Sequence, residues 1–315
     1  MEYVKLGRSG LEVSRLCFGG LTVGPLQADL PVEEGAEVML EAFNRGINFI
    51  DTAELYGTYP HIRRAIKKAK GEVVVATKTY AYDREGAVRS VEKARTALDR
   101  DVVDIFMLHE QESALTLKGH REALEYLLEC KAKGIVRAVG VSMHHIAAVE
   151  AVCRMDEIDV IHPIVNYKGL GIVDGTIEQM LKAIRRAHER GIGVYAMKPL
   201  GGGNLIRHVE QCLDYVLSIP FIDSVALGMQ SAEEVVANIH YIEGKEVDHL
   251  ITQRLKNKKR TLHIEDWCEG CGTCLTACAH QALYMEGNKL RVQNEKCILC
   301  GYCGSRCRHF AIKVV

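Results

Sequence analysis

The chain has 315 residues, 48 % of them apolar and 26 % charged, the make-up of a folded globular protein rather than a disordered or fibrous one. Lys and Arg number 40 against 41 Asp and Glu, a balance that argues against a basic nucleic-acid binder. No uncharged apolar run reaches the roughly 18 residues of a membrane span, and Met1–Leu6 lacks the apolar core of a secretory leader, so a cytoplasmic protein without a membrane span is expected.

In chain order, Tyr3–Leu6 and Leu11–Ser14, joined around Gly7 and Gly10, predict a hairpin. Eight cycles of short apolar strand and longer amphipathic helix follow. The first four pair Leu16–Phe18 with Val32–Arg45, Asn48–Asp51 with His61–Lys70, Val73–Thr77 with Gly86–Leu98, and Val103–Leu108 with His120–Lys133. The last four pair Ala138–Ser142 with His145–Met155, Val160–Pro163 with Thr176–Arg190, Ile192–Met197 with Val209–Ser218, and Ser224–Leu227 with Ala232–Tyr241. Gly46, Gly71, Gly134 and Gly191 stand where helix stops are expected. Apolar strands alternating with helices imply a parallel sheet covered on both faces, and eight units fit a closed (β/α)8 TIM barrel, with the hairpin capping one end. The rival, an open doubly wound sheet, lacks a Gly-x-Gly-x-x-Gly after an early strand. Five basic residues between Arg254 and Arg260 read as a solvated helix end and linker, with a docking patch for an acidic redox partner as the alternative. The composition changes there, which divides the chain into a barrel over 1–258 and a second unit over 259–315.

Eight of the 12 cysteines lie in that second unit. Cys268-x2-Cys271-x2-Cys274-x3-Cys278 recurs 29 residues later as Cys297-x2-Cys300-x2-Cys303-x3-Cys307. In such paired runs three cysteines grip one [4Fe–4S] cluster and the fourth ligates the other. Cluster I is thus assigned to Cys268, Cys271, Cys274 and Cys307, and cluster II to Cys297, Cys300, Cys303 and Cys278. Two four-cysteine zinc sites are the alternative. The segment resembles bacterial two-cluster ferredoxins over about 50 residues. It departs from them in having Ala279 and Arg308 where a proline follows the fourth cysteine. Leu283–Met285, Leu290–Val292 and Ile312–Val314 supply strands for a small α+β unit whose folding rests on its clusters. Cys17, Cys130, Cys153 and Cys212 read as bystanders.

Catalytic chemistry in such barrels sits at the C-terminal ends of the strands. Asp51, Lys78 and His109 fall at strand ends 27 and 31 residues apart, on neighbouring staves, and Tyr56 follows Asp51 by five residues. An ammonium beside a phenol lowers its pKa and a carboxylate orients the ammonium. Asp51, Lys78 and Tyr56 can therefore protonate an alkoxide formed from a carbonyl, with His109 orienting the oxygen. His109, His144, His145 and His162 crowd the same rim, where hydrogen bonding is expected rather than a metal site.

Asp51-Thr-Ala-Glu-Leu-Tyr56-Gly, Thr77-Lys78, Leu108-His109 and Gly140-Val-Ser142 resemble the aldo-keto reductase family in order and spacing, over about residues 2–243. The appended cysteine window is similar to the bacterial branch fused to a two-cluster ferredoxin domain. The resemblance implies a barrel that binds NAD(P)H in extended form, with Asp51, Tyr56 as proton donor, Lys78 and His109 as the catalytic tetrad. It also implies contacts to the nicotinamide end from Ser142, Met143, His162, Asn166 and Met197, and to the pyrophosphate from Lys198, Leu200, Gly201 and Gly203. Met229, Glu234 and Asn238 fall in the adenosine segment. Met143, His162 and Met197 replace the family's usual Asn, Gln and Tyr, and Glu234 takes the place of an Arg that meets a 2′-phosphate, so NADH is expected over NADPH. The expected function is NAD(P)H-dependent reduction of a small-molecule carbonyl to an alcohol. One alternative is a ferredoxin-linked enzyme whose clusters, in contact with a ferredoxin or other redox protein, feed a barrel-bound cofactor such as a flavin, or the substrate itself. The other is a non-enzymatic electron-relay module.

Overall fold

The computed structural model describes residues 1–315. Eight parallel strands close into a barrel in chain order: Leu16–Gly19, Phe49–Asp51, Val74–Thr79, Val103–Leu108, Val136–Met143, Val160–Pro163, Gly193–Met197 and Ser224–Gly228, with the eighth pairing the first. Nearly every strand residue is buried, as expected of staves that meet helices outside and packed side chains inside. The outer helices lie within a few residues of the periodicity reading, from Val32–Asn44 to Ala232–Ile242. Gly46, Gly134 and Gly191 adopt the left-handed conformation just past their helices, whereas Gly71 does not, because that helix already ends at Lys68. Two further helices lie outside the eight strand–helix cycles. Ala114–Gly119 starts in a capping box between Ser113 and Thr116, and His249–Asn257 is capped by the Asp248 carboxylate.

The opening hairpin, Tyr3–Lys5 against Glu12–Ser14, closes the N-terminal end of the barrel. Leu6, Leu11 and Val13 pack there with Phe49, Ile105, Val160 and Tyr195. Gly7 makes this seat possible: its φ is +47°, and a Cβ would lie 2.1 Å from the Gly193 nitrogen.

The cysteine-rich segment has a core of its own, in which Leu262, Leu283, Leu290, Ile312 and Val314 pack with Cys274 and Cys303. Leu283–Glu286 pairs with Lys289–Val292, while Ile312–Val314 pairs with Leu262–Ile264. This last strand also lies on the barrel. Val314 N–H donates to Gly202 O (3.0 Å), Asn204 Nδ2 donates to Ile312 O (3.0 Å), and Phe310 is part of the barrel's own apolar core. The linker is tied down as well: Lys258 reaches Gln230 and Glu234 (both 2.8 Å), and Arg260 reaches Glu234 (2.9 Å).

Candidate active site and cluster-binding segment

Asp51 ends the second strand, Lys78 lies one residue from the end of the third, His109 directly follows the fourth, and Tyr56 ends a 3-10 turn, Glu54–Tyr56. The barrel's closure brings the four together at its C-terminal mouth. Lys78 Nζ donates to Asp51 Oδ2 (2.7 Å) and Thr52 O (2.8 Å), with its side chain only 1 % exposed. Tyr56 Oη and His109 Nε2 are 3.5 Å apart, and Lys78 Nζ stands 5.1 Å from the Tyr56 ring centroid. Tyr195, which the sequence reading passed over, completes the Asp51 environment by donating to Oδ1 at 2.8 Å. Alternation along the seventh strand, with Gly193, Tyr195 and Met197 on one face, was the available signal.

The electrostatics differ from expectation at Tyr56. Its phenol was expected to be made more acidic by Lys78, but burial, followed by the Asp51 carboxylate, raises its pKa well above the ordinary value. The Lys78 ammonium is already engaged by Asp51, so desolvation of the phenolate prevails. Burial, with Lys78 and Lys198 nearby, drives His109 well below its usual range and keeps it neutral. Among the other rim histidines, His162 is lowered to about 4, chiefly by burial, and its Nδ1 meets Tyr195 O at 2.7 Å while Nε2 lies 3.7 Å from Asp51 Oδ1. His144 Nε2 meets Lys198 Nζ at 2.9 Å.

In the C-terminal segment one cavity is lined by Cys268, Cys271, Cys274 and Cys307, and a second by Cys278, Cys297, Cys300 and Cys303. The fourth cysteine of each run thus stands with the first three of the other. The thiols ring these cavities, an arrangement that suits a cage-like iron–sulfur cluster.

A model of the Aldo/keto reductase family matches residues 15–215. The chain belongs to that family. A 4Fe-4S dicluster domain model matches residues 261–308 of this family member. Among curated relatives, L-galactose dehydrogenase of Arabidopsis thaliana is 26 % identical over 76 % of this chain and 87 % of its own. The NADH-specific methylglyoxal reductase of Escherichia coli is 28 % identical over 69 % and 72 %. An aldo-keto reductase from Bacillus halodurans in its holo form superimposes with a TM-score of 0.66 over 82 % of this chain and 96 % of that one, at 20 % identity, a likeness of fold.

Aldo/keto reductases use NAD(P)H, and the residues expected to hold it here do not present an open groove. Ser142, Met143, Asn166 and Met229 have no exposed surface. Met143, Met197 and Met229 are buried members of the barrel's apolar core. Ser142 Oγ accepts from Glu110 N (2.8 Å), and both amide atoms of Asn166 bond Leu170 (2.9 Å each). Leu200, Gly201, Gly202 and Gly203 form a loop on which the C-terminal strand lies; a Cβ on Gly203 would stand 2.0 Å from Val314 O. On the far side of that path, Lys258 and Arg260 bind Gln230 and Glu234, and Thr261 pairs with Val315, so linker and last strand together bridge the pyrophosphate and adenosine segments. An extended dinucleotide would have to displace this bridge, and it does not fit the residues as they stand. Glu234, the residue behind the expected preference for NADH, is ion-paired with Lys258 and Arg260. Asn238 is nearly buried in the helix that Glu234 opens.

Proposed function

We propose that this aldo/keto reductase family member reduces a carbonyl group to an alcohol at the Tyr56–His109 mouth, and that residues 259–315 hold two [4Fe–4S] clusters on Cys268, Cys271, Cys274, Cys307 and on Cys278, Cys297, Cys300, Cys303. When bound, those clusters supply electrons one at a time. The observation that carries the reading is the convergence of Tyr56 Oη and His109 Nε2 above the Lys78–Asp51 pair. A carbonyl oxygen set between the two polar atoms meets a phenol that donates and an imidazole that is neutral and can orient it. As charge builds on that oxygen the phenol gives up its proton. The Lys78 ammonium then faces a phenolate, which it stabilises, and solvent restores the proton. Tyr195 and Lys78 hold Asp51 from two sides and keep the ammonium aimed at the phenol.

The Phe310–Val314 strand on the glycine loop favours electrons entering from the cluster segment over a dinucleotide bound along the barrel top. The external reductant is then a low-potential one-electron donor of the ferredoxin class, and two of its electrons, with one proton from the Tyr56 phenol to oxygen and one from solvent to carbon, balance the conversion of C=O to CH–OH. The test uses the anaerobic holoprotein with a panel of aldehydes and 2-oxo acids, driven in parallel by NADH, NADPH and a reduced viologen. Tyr56→Phe removes most turnover if the mouth is the reaction centre; unchanged turnover refutes that. Cys271→Ser abolishes viologen-driven turnover in protein that retains its barrel. Saturable turnover with NADH or NADPH that survives Cys271→Ser would return the reaction to the family's hydride chemistry.

A further inference from the structure

Three ammonium groups approach the mouth, and only one of them has a counter-ion. Lys78 is held by Asp51. Lys198, at the end of the seventh strand, and Lys313, in the last strand of the cluster segment, have no carboxylate within 4.0 Å. The acidic side chains that face them, Glu110 and Glu265, are engaged elsewhere: Glu110 accepts from Tyr80 (2.5 Å) and Glu265 meets His263 (3.2 Å). Lys313 is 5 % exposed, and its only hydrogen-bond partner is Phe310 O. Its Nζ lies 3.1 Å from the Phe310 ring centroid, with Lys198 Nζ 5.0 Å from the same ring. Two like charges share one aromatic ring at the seam of barrel and cluster segment, Lys313 almost wholly withdrawn from water and Lys198 partly so. Buried charges of this kind are ordinarily paired, and an unpaired like-charged couple opposes folding. Burial lowers both ammonium pKa values, helped by Lys78 at Lys198 and by Lys198 at Lys313, while the more distant Glu110 and Glu265 act in the opposite sense. Lys198 also holds φ at +58°, a conformation unfavourable for a residue with a side chain, which persists where the surroundings impose it.

We propose that Lys198 and Lys313, with His144 beside Lys198, form a subsite for an anionic group of the substrate, a carboxylate or a phosphate. An oxyanion between the two ammonium groups supplies the missing counter-charge and makes charge-assisted hydrogen bonds to both. Lys198 directly follows the seventh strand, His144 the fifth and His109 the fourth, and His144 Nε2 lies 3.8 Å from Oε1 of Glu110, the residue after His109, so the subsite belongs to the rim that holds the reacting carbonyl. The substrate class is therefore a carbonyl compound with an acidic substituent, a 2-oxo acid or a phosphorylated aldehyde. Because one lysine comes from each part of the chain, the cluster segment completes the site as well as carrying cysteines. The choice of substrate class rests on the carbonyl-reduction reading; the binding of an anion does not.

The experiment has two arms on the anaerobic holoprotein. Calorimetric titration with inorganic phosphate, and separately with acetate, reads the subsite without turnover. Saturable binding of either is expected in the parent, weakened at least about tenfold in Lys198→Met and in Lys313→Met and retained in Lys313→Arg, in keeping with the worth of hydrogen bonds to charged groups. Phosphate binding without acetate binding assigns the site to phosphorylated substrates, and the reverse to carboxylates. Reduction of glyoxylate against acetaldehyde, driven by reduced viologen, gives the second arm. Each Met variant raises KM for glyoxylate by a larger factor than KM for acetaldehyde, and Lys313→Arg restores the parent ratio. Lys313 also faces Cys307, so the cluster reduction potential is followed by titration. Variants that shift the potential but bind phosphate and acetate like the parent overturn the subsite and make Lys313 a counter-charge for cluster I. A parent that binds neither anion saturably overturns it too. Intact anion binding with turnover unaffected by Tyr56→Phe sinks the carbonyl-reduction reading and leaves the subsite standing.

Discussion

Replacing Tyr195 by Phe removes one oxygen from the floor of the mouth. The ring stays in place, stacked on His162 at a 3.9 Å centroid distance and set edge-on to Phe49 at 4.9 Å, so packing changes little. What is lost is the 2.8 Å hydrogen bond to Asp51 Oδ1 in a fully buried setting. A hydrogen bond to a charged group contributes about 1.5–3 kcal/mol, and no other donor stands nearer to Oδ1 than His162 Nε2 at 3.7 Å. We expect about 2 kcal/mol of destabilisation, which at roughly 2–4 °C per kcal/mol lowers the barrel's Tm by about 4–8 °C. Asp51, held on one side only, positions Lys78 less firmly, and kcat falls by about tenfold, or about 1.4 kcal/mol in the barrier. Thermal unfolding by circular dichroism and steady-state carbonyl reduction read the two effects. The Asp51→Asn background supplies the control, since there the Tyr195 substitution costs much less. A Tyr195→Phe protein whose Tm and kcat both match the parent would show that Asp51 needs no second donor and refute the reasoning.

Other consequences follow from the same geometry. His109 is depressed below 6.5 and so stays neutral as pH falls to that value, while Tyr56 is raised above 10.0 and so keeps its proton as pH rises to it. The pH profile of kcat/KM for a neutral aldehyde is therefore flat across that interval, and a break near neutrality would contradict these assignments. Phe310→Ala removes a nearly buried ring from the barrel's core at a cost of about 3–5 kcal/mol; limited proteolysis is expected to release the residues after Cys307 from the barrel. Anaerobic chelation of iron is expected to remove hydrogen-exchange protection from Leu262–Ile264 and Ile312–Val314 while the eight barrel strands keep theirs, because the small core includes Cys274 and Cys303.

Much of this molecule is legible from periodicity and spacing. Alternating short strands and helices specify a parallel sheet covered on both faces, and the count of eight units, without a Gly-x-Gly-x-x-Gly after an early strand, favours the closed barrel over an open sheet. One strand-helix unit separates Asp51 from Lys78 and another separates Lys78 from His109, so the topology alone brings those side chains to one mouth. The two-two-three cysteine runs are equally local, and the cavities lined by four cysteines apiece follow from their pairing.

Contacts between residues far apart in the chain follow no such period. Glu234 reads as a free carboxylate in the sequence, yet Lys258 and Arg260 neutralise it across the helix that follows. Tyr195 is one more apolar-strand residue until closure sets it against Asp51, 144 positions earlier in the chain. Phe310 and Lys313 belong to a cluster segment by sequence and to the barrel's mouth by position, because their strand seats on Gly202 and Gly203. Strand periods and cysteine spacings are local properties and can be read from the chain. The charge that surrounds a carboxylate, and the surface that covers a glycine loop, are decided only when distant segments pack together.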